Sequence, residues 1–396
     1  MSYTTTTRTP TRAGWLVSLM LVTFVIGTDD FVIAGILPDI ADDLAVSEAA
    51  AGQLVTVFSI TYALAAPPLA VATARLPRKP MVVGGLSVFA AVNLVAAIAP
   101  SYAVLMALRV VAALIAAMVS PAVFGMAARL AAPGRDGRAL GVVAAGLTVS
   151  LFIGVPLGSL LVDTFGWRST FVAVAGFSIL VALSNARLLP RLPGAPEIGV
   201  RAQLRVLGRP AVLTSVLGTV MGASGGLLIY TYIVPITRSL SGQEGAWLAV
   251  FIAVVGVAGA VGTFVGGRLT DLWGADRTLV SAFASMAVAV VGLAVAGLST
   301  DSAQVWLVIS LSAFYGFAGW GFNPPMNARI LRLAGEAGTE AVALSTSALY
   351  VGISIAGAVG GWSVASFDGT GTAVAAAVIF LVSLAATLMI VRRFPT

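Results

Sequence analysis

Apolar residues run almost without pause from Trp15 to Val391, interrupted only by short clusters of Pro, Gly and charge. Dividing the runs at that punctuation predicts twelve helices, at 15–37, 50–73, 81–99, 102–127, 139–162, 169–189, 211–235, 246–267, 278–298, 303–326, 341–365 and 372–391. Each has about the 20 residues needed to cross a bilayer. The connections are too short to fold as separate soluble domains.

Composition moves the reading from buried core to membrane. The chain is 59% hydrophobic and 10% charged, with a mean hydropathy of +1.02, whereas soluble domains are roughly half apolar and about a quarter charged. The net charge of +6 is spread through the short loops rather than gathered in one patch, so nucleic acid is not an expected partner. The polar stretch 1–14 reads as a cytoplasmic tail, and the run after it as a retained helix rather than a signal peptide.

The basic residues then set the orientation. Arg8, Arg12, Arg75, Arg78, Lys79, Arg129, Arg135, Arg138, Arg187, Arg191, Arg201, Arg205, Arg209, Arg268, Arg277, Arg329, Arg332, Arg392 and Arg393 all fall on one side, while Arg168 and Arg238 fall on the other and Arg109 lies inside a span. By the positive-inside rule both termini are expected in the cytoplasm. The chain divides into a tail at 1–14, six helices over 15–189, a linker at 190–210, six helices over 211–391 and a tail at 392–396. Across the linker, "AVATARLPRKP" (Ala70–Pro80) matches "GGRLTDLWGADR" (Gly266–Arg277), with Ala74 and Asp271 corresponding at an offset of 197, near half of 396. A six-helix unit repeated in this way is a common plan for secondary transporters, whose binding site lies between the repeats.

There is no cysteine and no histidine. That excludes disulfides, thiol catalysis, Cys/His metal sites and imidazole relays, so proton chemistry must rest on carboxylates, with Tyr and Arg helping. No phosphate-binding loop and no acid cluster in a loop is present, so an enzyme is not expected. Charged rings and filter repeats, which a channel would need, are also missing.

Asp29 and Asp30, in "GTDDFVIAGILP" (Gly27–Pro38), are the only carboxylates placed within a span. Asp30 lies roughly 12 Å in from Pro38 by the helical rise. An intramembrane acid costs on the order of 3 kcal/mol unless it faces a cavity, finds a partner or is protonated. Fraying of the helix at this point would leave only about 14 residues before Asp29, too few to span. Arg109, seven residues into the fourth helix from Tyr102, lies at a comparable depth. It is a candidate partner for the acids, or else a structural cation bound to backbone carbonyls.

Several segments resemble the major facilitator superfamily. "GRLTDLWGADR" is similar to its loop motif, "LMALRVVAAL" with Arg109 to its fourth-helix Arg motif, and "GLTVSLFIGVPLGSLL" (Gly146–Leu161) to the Gly-Pro signature of its proton-coupled antiporters. "GTDDFVIAGILPDIADDL" and "FGWRSTF" resemble its drug and sugar efflux branch, including chloramphenicol-type and sugar efflux proteins. The resemblance implies an all-α membrane fold of two pseudo-symmetric six-helix bundles, working as a monomer with no cofactor beyond protons as coupling ion. It also implies that Asp30, at the branch's usual acid position, carries the proton, with Asp29 as an extra polar residue. Gating is implied for Arg75, Arg78 and Lys79 in the first loop and for Gly267, Asp271, Gly274 and Arg277 in the second, with Gly154, Pro156 and Gly158 as a pliable seal. In the first loop the usual Asp and Gly are Ala74 and Pro77, so only the second half is expected to form a full charge latch.

Candidate substrate contacts are Thr56, Ser59 and Tyr62, spaced by threes on one helix face, with Tyr230, Tyr232, Tyr315, Trp320, Asn323 and Tyr350. Aromatics with a few polar groups suit an amphipathic organic ligand, although such rings also form interfacial belts and plain core. The expected function is proton-coupled export of compounds such as antibiotics across a bacterial plasma membrane. A sugar or metabolite exporter, and an uncoupled facilitator, are the alternatives. The near-exclusive use of Arg over Lys, with Lys79 the single lysine, fits a GC-rich bacterial gene.

Overall fold

The computed structural model describes residues 14–132, 136–194, 205–243, 246–299, 303–335 and 338–396. The tail at 1–13 and much of the linker expected at 190–210 lie outside these residues.

Long apolar helices account for nearly all of the described chain. The first span is built from α1 (Gly14–Phe31) and α2 (Ile33–Asp43), and the second to fourth from α3 (Glu48–Ala72), α4 (Arg78–Ala97) and α5 (Tyr102–Leu130). The fifth consists of α6 (Asp136–Val149), a π-turn (Ser150–Gly154) and α7 (Val155–Phe165), and the sixth is α8 (Arg168–Leu188). The second half runs through α9 (Pro210–Thr231), α10 (Ile233–Ser241), α11 (Ala246–Trp273), α12 (Ala275–Ser299), α13 (Val305–Gly321), α14 (Asn323–Ala334) and α15 (Gly338–Arg393). A straight helix as long as α15 would extend about 84 Å, far beyond a hydrocarbon core of about 30 Å. Asp368 breaks it, with φ of 57° and ψ of −164°, into an eleventh and a twelfth span. Ser239 accepts a hydrogen bond from the Gly369 amide just after the break (3.2 Å).

The predicted spans are therefore present, but several are longer or bent. The first span runs on past 37 to Asp43 and is interrupted at Val32. The seventh is interrupted at Tyr232 and the tenth at Phe322. Proline cannot donate to the carbonyl four residues back, so Pro235 frees Thr231, and Pro324 and Pro325 free Trp320 and Gly321, beside the two later breaks. Val32 and Tyr232 are separated by nearly the same offset as Ala74 and Asp271, so the repeat extends to the helix breaks.

The short connections make sequence neighbours antiparallel and gather the loops at two ends. One, the basic end, carries Arg75, Arg78, Arg129, Arg268, Arg277 and Arg392; the other, the far end, carries Asp43, Glu48, Arg168 and Arg238. Exposed apolar side chains such as Leu64, Phe264, Val288 and Met389 clothe the outside of the bundle, the inverse of a soluble protein and the pattern expected against lipid. At the seam between the halves, α3 packs along the eleventh span and α11 against the π-turn.

Candidate functional site

The acids of the first span are buried at the centre of the bundle: Asp29 is 1% exposed, Asp30 0% and Arg109 1%. Adjacent helical positions point about 100° apart, so one guanidinium cannot engage both carboxylates equally. Arg109 Nη1 donates to Asp29 Oδ2 at 2.7 Å and to the Asp29 carbonyl at 3.1 Å. Its Nη2 stands 3.7 Å from Asp30 Oδ1, and neither Asp30 oxygen has a hydrogen-bond partner among the described residues. The Phe58 ring lies 4.4 Å from the guanidinium carbon, a cation–π contact strengthened by the burial of both groups.

Two residues of this cluster escaped the sequence reading. Asn93, the lone amide in the third span, is buried and lies close enough to interact with Asp29 while donating to the Phe89 carbonyl at 3.0 Å. Phe58 occurs in an apolar run where nothing marks one ring out from another. The isolation of Asn93 in "AAVNLVAA" is a signal that could have found it.

The aromatic candidates separate into two groups. Tyr62 and Tyr350, from opposite halves, stack with centroids 3.8 Å apart and lie within electrostatic reach of Asp30. Tyr230 meets Phe31 of the first half at 6.1 Å and Trp320 at 5.6 Å, and Trp320 meets Tyr315 at 6.3 Å. The Tyr230 hydroxyl and the Ser59 and Thr56 hydroxyls have no hydrogen-bond partner among the described residues; Tyr315 donates to the Gly226 carbonyl. Asn323 is half-buried at the start of α14. Tyr232 stands apart, donating to the Gly357 carbonyl at 2.8 Å with its ring against Gly52 and Gly360. It closes the far end rather than lining the central cluster.

Around Tyr232 the halves are tied together. Gln53 donates to the Gly357 carbonyl at 3.2 Å, and Arg238 pairs with Glu48 at 2.8 Å. These ties lie farther toward the far end than Asp29 and Asp30, so the far end is closed over the central cluster. The fifth-span glycines face the first span: a Cβ on Gly154 would meet Thr28 Oγ1 at 2.1 Å, and one on Gly158 would meet Val32 Cγ2 at 2.4 Å. Pro156 follows the π-turn at the start of α7. Across the seam, a Cβ on Gly256 would meet Phe152 Cα at 2.6 Å, so a glycine of the eighth span receives the π-turn.

At the basic end the expected latch takes a different form. Asp271 and Arg277 are exposed; Gly267 lies within α11, and Gly274 (φ 86°) makes the turn that follows that helix. An ion pair formed there among the described residues is Arg329–Asp276. Arg329, expected in a loop, is fully buried because α14 continues to Ala334. It also donates to the Phe394 carbonyl, while Asp276 accepts from the Thr396 amide at 2.6 Å, so the C-terminal residues cover the pair. In the first half Arg78 donates through its backbone amide to the Leu192 carbonyl at 3.0 Å, and Arg129 to the Pro193 carbonyl at 2.8 Å. Arg75 is exposed and Lys79 half-buried.

Two repeated bundles clothed in apolar side chains define a multi-pass membrane protein on the plan of secondary transporters. The profile of the Major Facilitator Superfamily matches residues 19–339, and the chain belongs to that family. It is 30% identical over 377 residues to the Uncharacterized MFS-type transporter YbcL of Bacillus subtilis, covering 95% of each chain. It is 29% identical over 350 residues to the Inner membrane transport protein YdhP of Escherichia coli, covering 87% of each. The fold matches a bacterial homologue of the human lysosomal transporter Spinster, solved inward-facing and unoccupied, with a TM-score of 0.75 over 97% of each chain at 19% identity.

Proposed function

We propose that the protein exports small amphipathic organic compounds, antibiotics among them, across the bacterial inner membrane in exchange for protons, by alternating access. The observation that carries this reading is the unequal pair of buried acids. Asp29 is held by Arg109 at 2.7 Å, whereas Asp30 stands 3.7 Å from the same guanidinium with no hydrogen-bond partner among the described residues, so it can take up and release a proton without breaking a hydrogen bond. The rings of Phe31, Tyr62, Tyr230, Trp320 and Tyr350 stand at the same seam. A flat apolar ligand entering there would replace ring contacts between the halves with contacts to itself, which couples binding to their separation. The positive-inside rule supports cytoplasmic termini, an orientation in which the closed far end faces outward and the basic end inward.

Expression of wild type and Asp30→Asn at matched levels in an efflux-deficient bacterium tests the proposal. Growth is scored against antibiotics, lipophilic cations and toxic sugar analogues. Protection by wild type but not Asp30→Asn against the first two groups is expected. Protection confined to sugar analogues would replace drug export with sugar export. Equal protection by both proteins would remove Asp30 from the coupling role.

A further inference from the structure

A groove of about 390 Å3 opens between α4 and α5 on the outside of the first bundle, walled by Leu76, Pro77, Met81, Gly84, Val88 and Met118. Two adjacent glycines create it. A Cβ on Gly85 would meet Val119 Cγ2 at 2.4 Å, so this glycine lets α4 lie close on α5; a Cβ on Gly84 would meet nothing within 4 Å. From Pro80 to Val88 the groove descends about 12 Å along the helix, away from the basic loop and into the apolar zone. Its wall is apolar throughout, as an acyl chain requires and a polar solute does not.

The mouth of the groove has the opposite chemistry. Arg78 and Lys79 sit between Pro77 and Pro80, Arg75 immediately precedes Leu76, and Arg129 at the end of α5 lies within electrostatic reach of Arg78. The segment Thr73–Pro80 contains no acid, since the acid usual in this loop is replaced by Ala74. The hydrogen bonds made by the Arg78 and Arg129 side chains among the described residues go to the neutral carbonyls of Thr73 and Pro193. Basic residues flanking the lining residues of an apolar groove match one class of molecule in a bilayer.

We propose that this groove holds one acyl chain of an anionic phospholipid, whose phosphate is bound by Arg78 and Lys79. Each basic residue near a membrane surface contributes about 1 kcal/mol toward an anionic lipid, equivalent to roughly a fivefold change in binding. The experiment is native mass spectrometry of the full-length protein in detergent, titrated with phosphatidylglycerol or phosphatidylcholine. Wild type is expected to retain phosphatidylglycerol in preference to phosphatidylcholine. Arg78→Gln and Lys79→Gln should each lower retention about fivefold. Gly84→Leu should abolish it by filling the slot, and its side chain enters open space; Val88→Trp, at an exposed position, fills the same slot and provides a second test. Unchanged thermal midpoints in lipid-free detergent check that the variants fold. Excess soluble glycerol phosphate should leave the lipid bound, because the chain supplies the apolar contact. Equal retention of the two lipids, full retention by both groove-filling variants, or displacement by glycerol phosphate would each overturn the proposal.

Discussion

Arg109 faces two carboxylates and binds one of them, and the difference has consequences for stability as well as transport. Removing one partner of a buried ion pair strands the other and typically destabilises by about 3–5 kcal/mol. Asp29→Asn should therefore lower the thermal midpoint in detergent far more than Asp30→Asn, which breaks no hydrogen bond; equal falls would contradict the assignment. Arg109→Ala should abolish uphill export with the protein still in the membrane, read by transport alongside quantitative blotting of membrane fractions. At the far end, a hydrogen bond from the Arg168 side chain, aided by Trp167, holds the exposed Asp43 carboxyl below its usual range. Its contribution is present above the unfolded value and is lost as pH falls through the lower folded one. The small difference in thermal midpoint between wild type and Asp43→Asn should thus vanish in acid. That Asp29, Asp30 and Arg109 share a depth was legible from residue counts along two antiparallel helices. Which acid takes the guanidinium was not, because helix rotation decides it and the 100° between neighbours is silent about where Arg109 sits.

At the scale of the helix, close approach depends on glycines whose role appears only when the facing element is known. A Cβ on Gly262 of α11 would stand 1.8 Å from the Phe317 carbonyl oxygen of α13, and backbone cannot rotate away. Gly262→Ala should destabilise by about 1–3 kcal/mol as an overpacked contact. Gly125→Ala, exposed and with nothing within 4 Å of the added carbon, should be neutral or stabilising. Thermal unfolding of the two variants in one detergent checks the contrast. The Gly-Pro segment of the fifth span was marked by its sequence, but its register was not: Ser150–Gly154 forms a π-turn whose outer face meets Gly256. The breaks at Tyr232 and Phe322 fall inside spans read as continuous, although the prolines that follow them, with their lost donors, were a visible signal. The pairing of Asp276 with Arg329 was not visible, because Arg329 was read as a loop residue whereas α14 continues past it to Ala334.

For the molecule as a whole, the closed far end and the acids beneath it belong to one mechanism. Glu48–Arg238 and Gln53–Gly357 tie the halves together on that side, with the Tyr232 ring of the second half lying against Gly52 of the first. Loss of Glu48 should shift the population toward far-end opening. Because the chain has no native cysteine, spin labels on Ala45→Cys and Phe367→Cys report that opening without background. Glu48→Gln is expected to add longer distances between the labels, and an unchanged distribution would show that the ion pair does not govern opening. The twelve-span, two-bundle plan was readable from hydropathy and the loop repeat because bilayer thickness leaves few alternatives. Whether the seam is closed at one end or the other was not readable, because both states use the same helices.

The central claim is that Asp30 links proton movement to export, and everted membrane vesicles with a respiration-driven pH gradient test it most directly. Compounds against which wild type protects are added, and the gradient is followed by a quenched amine dye. With wild type, each such compound should partly dissipate the gradient, and with Asp30→Asn at equal abundance it should not. A response from Asp30→Asn equal to that of wild type would contradict the account.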